Sequence, residues 1–135
     1  MRRVFVDTSA IIALLNATDE YHPKASRLNN ELLEEQVRFI TTSAVMNEVL
    51  DGFSKLYLRR SGIAYFDAFS QSHYTRMIHV SKPIFLAGVD LFRKRPDKEW
   101  SLTDCISFIV MRRYRLKEAL PIDHHFEQAG FRKLL

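Results

Sequence analysis

An α/β fold, a parallel sheet covered by helices on both faces, is predicted by two features of the chain. Short apolar runs of strand length alternate with longer stretches of helical periodicity, and most of those stretches open on a residue able to cap a helix. The first unit is the plainest. Val4-Phe5-Val6 is a β-branched and aromatic run, and Thr8-Ser9 offers a cap for the apolar stretch Ala10 to Leu15. Asp7 sits between them, where a strand end meets a helix start, and open α/β sheets build their sites at that edge.

The remaining units follow in order. His22-Pro23-Lys24 opens a helical pattern with Ala25, Leu28, Leu32 and Leu33 on one face. Phe39-Ile40-Thr41 is expected as a strand, with Thr42 or Ser43 capping a helix that carries Val45, Val49, Leu50 and Phe53. Gly62 is expected to break that pattern before a further helix over Ile63 to His73. Met77 to Val80 reads as strand, Ser81-Lys82-Pro83 starts a helix that Arg95-Pro96-Asp97 ends, and Ser101 caps the next. Ala119 to Ile122 is expected as strand, although Pro121 cannot donate to a ladder. His124 to Ala129 forms a helical turn stopped by Gly130, and Phe131 to Leu135 a closing edge strand.

Composition bounds the answer. With 47% hydrophobic and 27% charged residues, residues 1–135 are expected to form a single globular domain, not a disordered chain. The longest clean apolar run, Ala10 to Leu15, falls far short of the ~20 residues a spanning helix needs. Met1-Arg2-Arg3 leads into a strand, not a signal-peptide core, so a cytoplasmic location is expected. The lone Cys105 offers neither a disulfide nor a paired metal motif and is expected as a small buried residue.

Four acids carry the candidate chemistry. Asp7 and Asp123 directly follow apolar strands, while Glu48 and Asp104 sit early in helices that follow a Thr or Ser cap, so all four are expected at one edge of the sheet. Each also has a structural alternative: Asp7 as a local cap, Glu48 as a solvated helix residue, Asp123 as a cap for the turn at His124. Asp104 completes a capping box, Ser101-Leu102-Thr103-Asp104. Carboxylates without nearby Cys, and without an HExxH or CxxC spacing, favour hard cations, Mg²⁺ or Mn²⁺, over zinc. Two such ions would act on a phosphodiester. The four glycines form neither a dinucleotide fingerprint nor a P-loop, and no Ser or Cys sits in a nucleophile elbow. A phosphatase with Asp7 as its nucleophile would want a second Asp where Ser9 stands. In the pair His124-His125, adjacent residues face different ways, which leaves at least one of them structural.

The net charge of +4 understates the basic character of the surface. If the four acids are gathered and neutralised in one pocket, 20 basic side chains face the remaining 12 acids, which attracts polyanions. Arg112, Arg113 and Arg115 form one basic cluster and are candidate contacts for a polyanion such as a nucleic acid; they could equally be solvated helix-end charges.

Four segments in series, Val4 to Ala10, Thr42 to Val49, Trp100 to Cys105 and Ile122 to Phe131, resemble the PIN domains of VapC-type toxins, over essentially the whole chain. The resemblance implies a three-layer α/β/α sandwich with a short parallel sheet. It also implies Mg²⁺- or Mn²⁺-dependent endoribonuclease activity on single-stranded RNA. The matching acids are Asp7, Glu48, Asp104 and Asp123, with Thr8, Ser9, Asn47 and Ser101 as partners that orient them. Pro121 stands where the family often has Thr ahead of the last acid. A small antitoxin partner and a homodimer are further implications. Leu56, Tyr57, Ile63, Phe66 and Phe69 could line a partner groove or belong to the core. The alternative is a catalytically silent RNA- or protein-binding module whose acids only cap helices.

Overall fold

The computed structural model describes all 135 residues, Met1 to Leu135. Strands β1 (Arg3–Val6), β2 (Arg38–Thr42), β3 (Thr75–Ile78), β4 (Glu118–Leu120) and β5 (Arg132–Lys133) form one sheet in the order β3-β2-β1-β4-β5. Every pairing is parallel. The helices are α1 (Thr8–Leu15), α2 (His22–Glu34), α3 (Ser43–Gly52), α4 (Leu56–Gln71), α5 (Lys82–Lys94), α6 (Leu102–Arg113) and the short α7 (His125–Gln128). β1 is central: Phe5 is in register with Ile40 on one side and with Ala119 on the other. Both of its edges are therefore paired, and Val4 and Phe5, which point to opposite faces of the sheet, are fully buried.

The two-residue period of a strand divides the core. Val6, Phe39 and Leu120 meet α1, α2 and α4 around a mostly apolar cavity of about 280 Å³. Phe5 turns to the opposite face, where its ring lies 5.9 Å from Phe126, which packs edge-on at 4.9 Å against Phe108 of α6. Trp100 closes this aromatic chain at 5.0 Å from Phe108. Helix α6 is buried along most of its length because α5 also lies against it. Gly88 makes that approach possible: a Cβ built there would stand 2.6 Å from Ile106 Cγ1. Cys105 is fully buried, as expected of a small apolar side chain.

Several boundaries differ from the sequence reading. Gly62 does not break a helix. It lies buried inside α4, where its missing side chain admits Phe53, whose Cβ would be 3.0 Å from an added methyl. Thr8 and Ser9 are helical residues, and Asp7 takes the N-cap position without capping through its side chain. β3 starts and ends earlier than Met77 to Val80, since Phe39 N–H donates to Tyr74 O and Val80 N–H is taken by Ser43 Oγ at 2.9 Å. Pro121 and Ile122 lie beyond β4, the Ile122 N–H donating to Ser9 Oγ at 2.9 Å. The closing strand is only Arg132–Lys133. Leu33 is 49% exposed although its spacing placed it on the apolar face. Of the five residues expected to act together on α4, Phe69 is core and Phe66 packs against it, whereas Leu56, Tyr57 and Ile63 are exposed.

Candidate active site

In a parallel sheet the carboxyl ends of the strands share one edge. Asp7 leaves β1 at that edge, Asp123 follows β4, and the helices bearing Glu48 and Asp104 begin there. Asp7 is fixed from both directions. Its N–H donates to Leu120 O at 3.1 Å, and Oδ2 accepts from Ser9 Oγ at 3.1 Å. Its side chain is 4% exposed. Burial, and then the negative charge of Asp104, push the Asp7 carboxyl up to about 7; Asp123 adds to the rise, while the Thr8 amide and the Ser9 hydroxyl oppose it.

Asp104 serves two purposes. It completes the capping box at the start of α6: Asp104 N–H donates to Ser101 Oγ at 3.0 Å and Oδ2 accepts from Ser101 N–H at 3.1 Å. The same Oδ2 lies 2.9 Å from His125 Nδ1. Burial raises its pKa above the ordinary carboxylate value and Asp123 contributes, against the Ser101 amide and His125. Asp123 is only partly buried, and its Oδ1 accepts from His125 N–H at 3.0 Å. Glu48, half-buried on α3, is tied to the start of α1 through Thr8 Oγ1, which donates to its Oε1 at 2.7 Å. Asp7, Asp104 and Asp123 thus form an electrostatically coupled group, and Glu48 joins it through Thr8. No three Asp, Glu, His or Cys side chains are close enough to form a ready-made coordination sphere.

Thr8, Ser9 and Ser101 each hydrogen-bond one of the four acids. Asn47 does not: it is exposed, and its amide donates to Asp51 Oδ2 at 3.2 Å, one turn further along α3. The residue that sequence reasoning left unassigned is His125, one of the pair His124-His125. Its position two residues after Asp123 was the available signal, because an Asx-type bond from Asp123 folds the histidine back over Asp104. The exposed His124 touches none of the four acids through its side chain.

The basic cluster lies elsewhere. Arg112 and Arg113 occupy the last turn of α6, roughly 14 Å along the axis from Asp104 at 1.5 Å per residue, and Arg115 follows in a left-handed turn at φ 56°. A helix running away from the acids carries them to the opposite edge of the sheet.

Two open grooves flank the acids. One, of about 640 Å³, is lined by Ser43, Asn47, Glu48, Lys82, Phe85 and Thr103 among others. The other, of about 660 Å³, runs past Ser9, Tyr21, Asp123, His124 and Lys133, with Asp19 and Glu20 on its wall. The apolar cavity beneath α2 and α4 is lined by none of the four acids.

Comparison with known proteins agrees with this architecture. Residues 4–132 match the PIN domain model. The 23S rRNA-specific endonuclease VapC20 of Mycobacterium tuberculosis is 30% identical over 128 residues, 95% of either chain. The crystal structure of that protein, described as a sarcin-ricin loop cleaving toxin, superposes with a TM-score of 0.83 at 29% identity, again over 95% of both chains. VapBC2 of Rickettsia felis, solved with a DNA fragment from its promoter, reaches 0.70 at 14% identity over 98% of this chain and 97% of that one, a likeness of fold. By the family model, by identity across nearly the whole length and by the placement of the acids, the chain belongs to the PIN-domain family.

Proposed function

We propose that the chain is a divalent-metal-dependent endoribonuclease that cleaves single-stranded RNA, and that it is the toxin half of a toxin-antitoxin pair. The observation that carries this reading is Asp7. A carboxylate 4% exposed, with its pKa pushed up to about 7, caps nothing, forms no ion pair and has two further acids acting on it. The fold pays a desolvation cost at that position that no packing or capping role repays. The relationship to an endonuclease that acts on 23S rRNA supports RNA as the substrate.

An all-oxygen donor set suits Mg²⁺ or Mn²⁺. Asp7, Asp104 and Asp123 would hold the ion, with Glu48 brought to bear through Thr8. When bound, the metal supplies Lewis-acid stabilisation of charge developing on the phosphodiester. The chain's own groups orient the acids. Ser9 holds Asp7, Thr8 holds Glu48, and Ser101 with His125 hold Asp104 through one oxygen, leaving Oδ1 free of hydrogen bonds.

A second reading, a silent RNA- or protein-binding module, draws on the local bonds of Asp104 and Asp123. It leaves Asp7 unexplained. A small antitoxin and a second copy of the chain are proposed partners. The exposed Leu56, Tyr57 and Ile63 on α4, and Leu86 and Phe92 on α5, support apolar contacts beyond the single chain. Incubating the purified protein with a mixed RNA pool in Mg²⁺, Mn²⁺ or EDTA, with sequencing of the product ends, tests the enzymatic reading. Defined internal cuts that vanish in EDTA and in Asp7→Asn are expected. Cleavage persisting in excess EDTA would remove the metal mechanism, and no cleavage of any RNA in any ion would favour the silent module.

A further inference from the structure

We propose that the groove between α3 and the first turns of α5 and α6 seats the nucleotide beside the scissile phosphate, with Phe85 stacking on its base and Lys82 meeting the flanking phosphate. The inference rests on the ribonuclease reading and adds to it the side from which the strand reaches the acids. The groove is continuous with the candidate site: Glu48 lies in its wall, and so does Thr103, the neighbour of Asp104. Phe85 is 44% exposed and pairs with no other aromatic ring of the chain. A half-exposed ring beside a polar cleft offers the π-face that any base can stack on. Lys82 forms no salt bridge within the chain. Its ammonium is therefore free to meet a phosphate.

Asn47 gains a role here that it lacks as a partner of the acids. Its Nδ2 is engaged by Asp51, but Oδ1 accepts no hydrogen bond within the chain. Amide oxygens read the amino groups of unpaired bases in single-stranded RNA. Ser43 Oγ accepts from Val80 N–H and retains its own proton to donate. The groove on the other flank is less suited to a phosphate backbone, since Asp19, Glu20 and Asp123 outnumber its single Lys133. The α5-side groove sets one acid, Glu48, against Lys82, so it repels a phosphate backbone less and is the side assigned to the strand.

The test uses the full chain and dye-labelled single-stranded RNA oligomers of about ten nucleotides, with binding read by anisotropy in EDTA and the RNA checked intact on a gel. Phe85→Ala should weaken binding roughly 5- to 100-fold, the loss expected for one base stack, while Phe85→Trp retains it. Lys82→Gln should lower the salt slope of binding by about 0.7. Quenching of 2-aminopurine in the oligomer should disappear in Phe85→Ala and persist in Phe85→Trp. Circular dichroism melts confirm that the variants fold, and light scattering follows their mass. Unchanged affinity in Phe85→Ala overturns the proposal. So does a loss of affinity that only accompanies conversion of a dimer to a monomer, which would assign this face of α5 to an interface between copies. Wild-type cleavage with Phe85→Ala equal in kcat/KM removes the subsite and leaves the ribonuclease reading standing. A wild type that neither binds nor cuts RNA removes both.

Discussion

His125 Nδ1 lies 2.9 Å from Asp104 Oδ2, a contact between residues 21 positions apart that joins the start of α7 to the first turn of α6. When Asp104 is ionised its oxygens only accept, and the Nδ1 proton then points at Asp104. Ser101 N–H donates to the same oxygen. The cap and the site therefore share one carboxylate: the helix start fixes Oδ2, and Oδ1 is left without a hydrogen bond, available to a ligand.

That sharing separates two variants. Ser101→Ala removes the hydroxyl that accepts from Asp104 N–H and should cost about 1 kcal/mol of stability, with cleavage retained at temperatures where the protein is folded. Asp104→Ala should cost a similar amount of stability and abolish cleavage as well. Melting curves paired with RNA cleavage distinguish them; full activity in folded Asp104→Ala would leave Asp104 a capping residue only.

Gly88 lets α5 lie close against α6 at Ile106, and through α6 it affects the position of Asp104. A methyl added there would meet Ile106 Cγ1 at 2.6 Å and the Ile106 backbone at 3.3 Å, so a rotamer change alone does not relieve the clash. Gly88→Ala should destabilise the fold by roughly 1–3 kcal/mol, overriding the gain an alanine gives within a helix. A denaturant midpoint equal to or above wild type would show that the two helices separate at little cost.

The alternation of strands and helices and the edge that gathers the acids were legible because both depend on local pattern. Val4-Phe5-Val6 followed by Asp7 needs no tertiary information, and the Ser101 to Asp104 box formed as its residue types implied. What was not legible depended on distant neighbours. Gly62 reads as a breaker until Phe53 is seen to occupy the space of its absent side chain. Ser9 reads as a cap, but it holds Asp7 and the Ile122 amide because β1 and β4 are adjacent in the sheet. Asn47 and Glu48 are adjacent in sequence, yet the helix turns only Glu48 toward Thr8. His125 required knowing that the start of α7 folds against α6.

The position of Arg112 and Arg113 at the far end of α6 alters what is expected of them. As exposed positive charges in a helix's last turn they favour the dipole, typically by about 0.3–1 kcal/mol at low ionic strength. Arg112→Gln with Arg113→Gln should therefore lower thermal stability slightly and leave both RNA cleavage and the salt slope of RNA binding unchanged. A slope reduced by about 0.7 per arginine would instead bring the RNA around to that edge of the sheet.

The clustered acids make stability depend on pH with a definite sign. Burial and the Asp104 charge raise the Asp7 carboxyl from 3.8 to about 7 in the folded chain, so the fold prefers the protonated form. This contribution is fully present below the unfolded value, declines as pH rises from there, and is lost once pH passes the folded value of about 7. Asp104 shifts in the same direction, which reinforces the trend. Asp7→Asn carries no charge at any pH and should lose the Asp7 share of that dependence. Without metal it should melt above wild type near pH 8, with the difference shrinking toward pH 4. Mg²⁺ or Mn²⁺ should narrow that gap near pH 8 by binding the ionised acids, stabilising wild type by ~1.4 kcal/mol at ten times its dissociation constant and the variant by less. Melting curves of both proteins across this pH range, in EDTA and in each metal, read all three effects. Parallel curves at every pH with no metal shift in either protein would mean that folding does not raise the Asp7 pKa and that Asp7 is not a ligand.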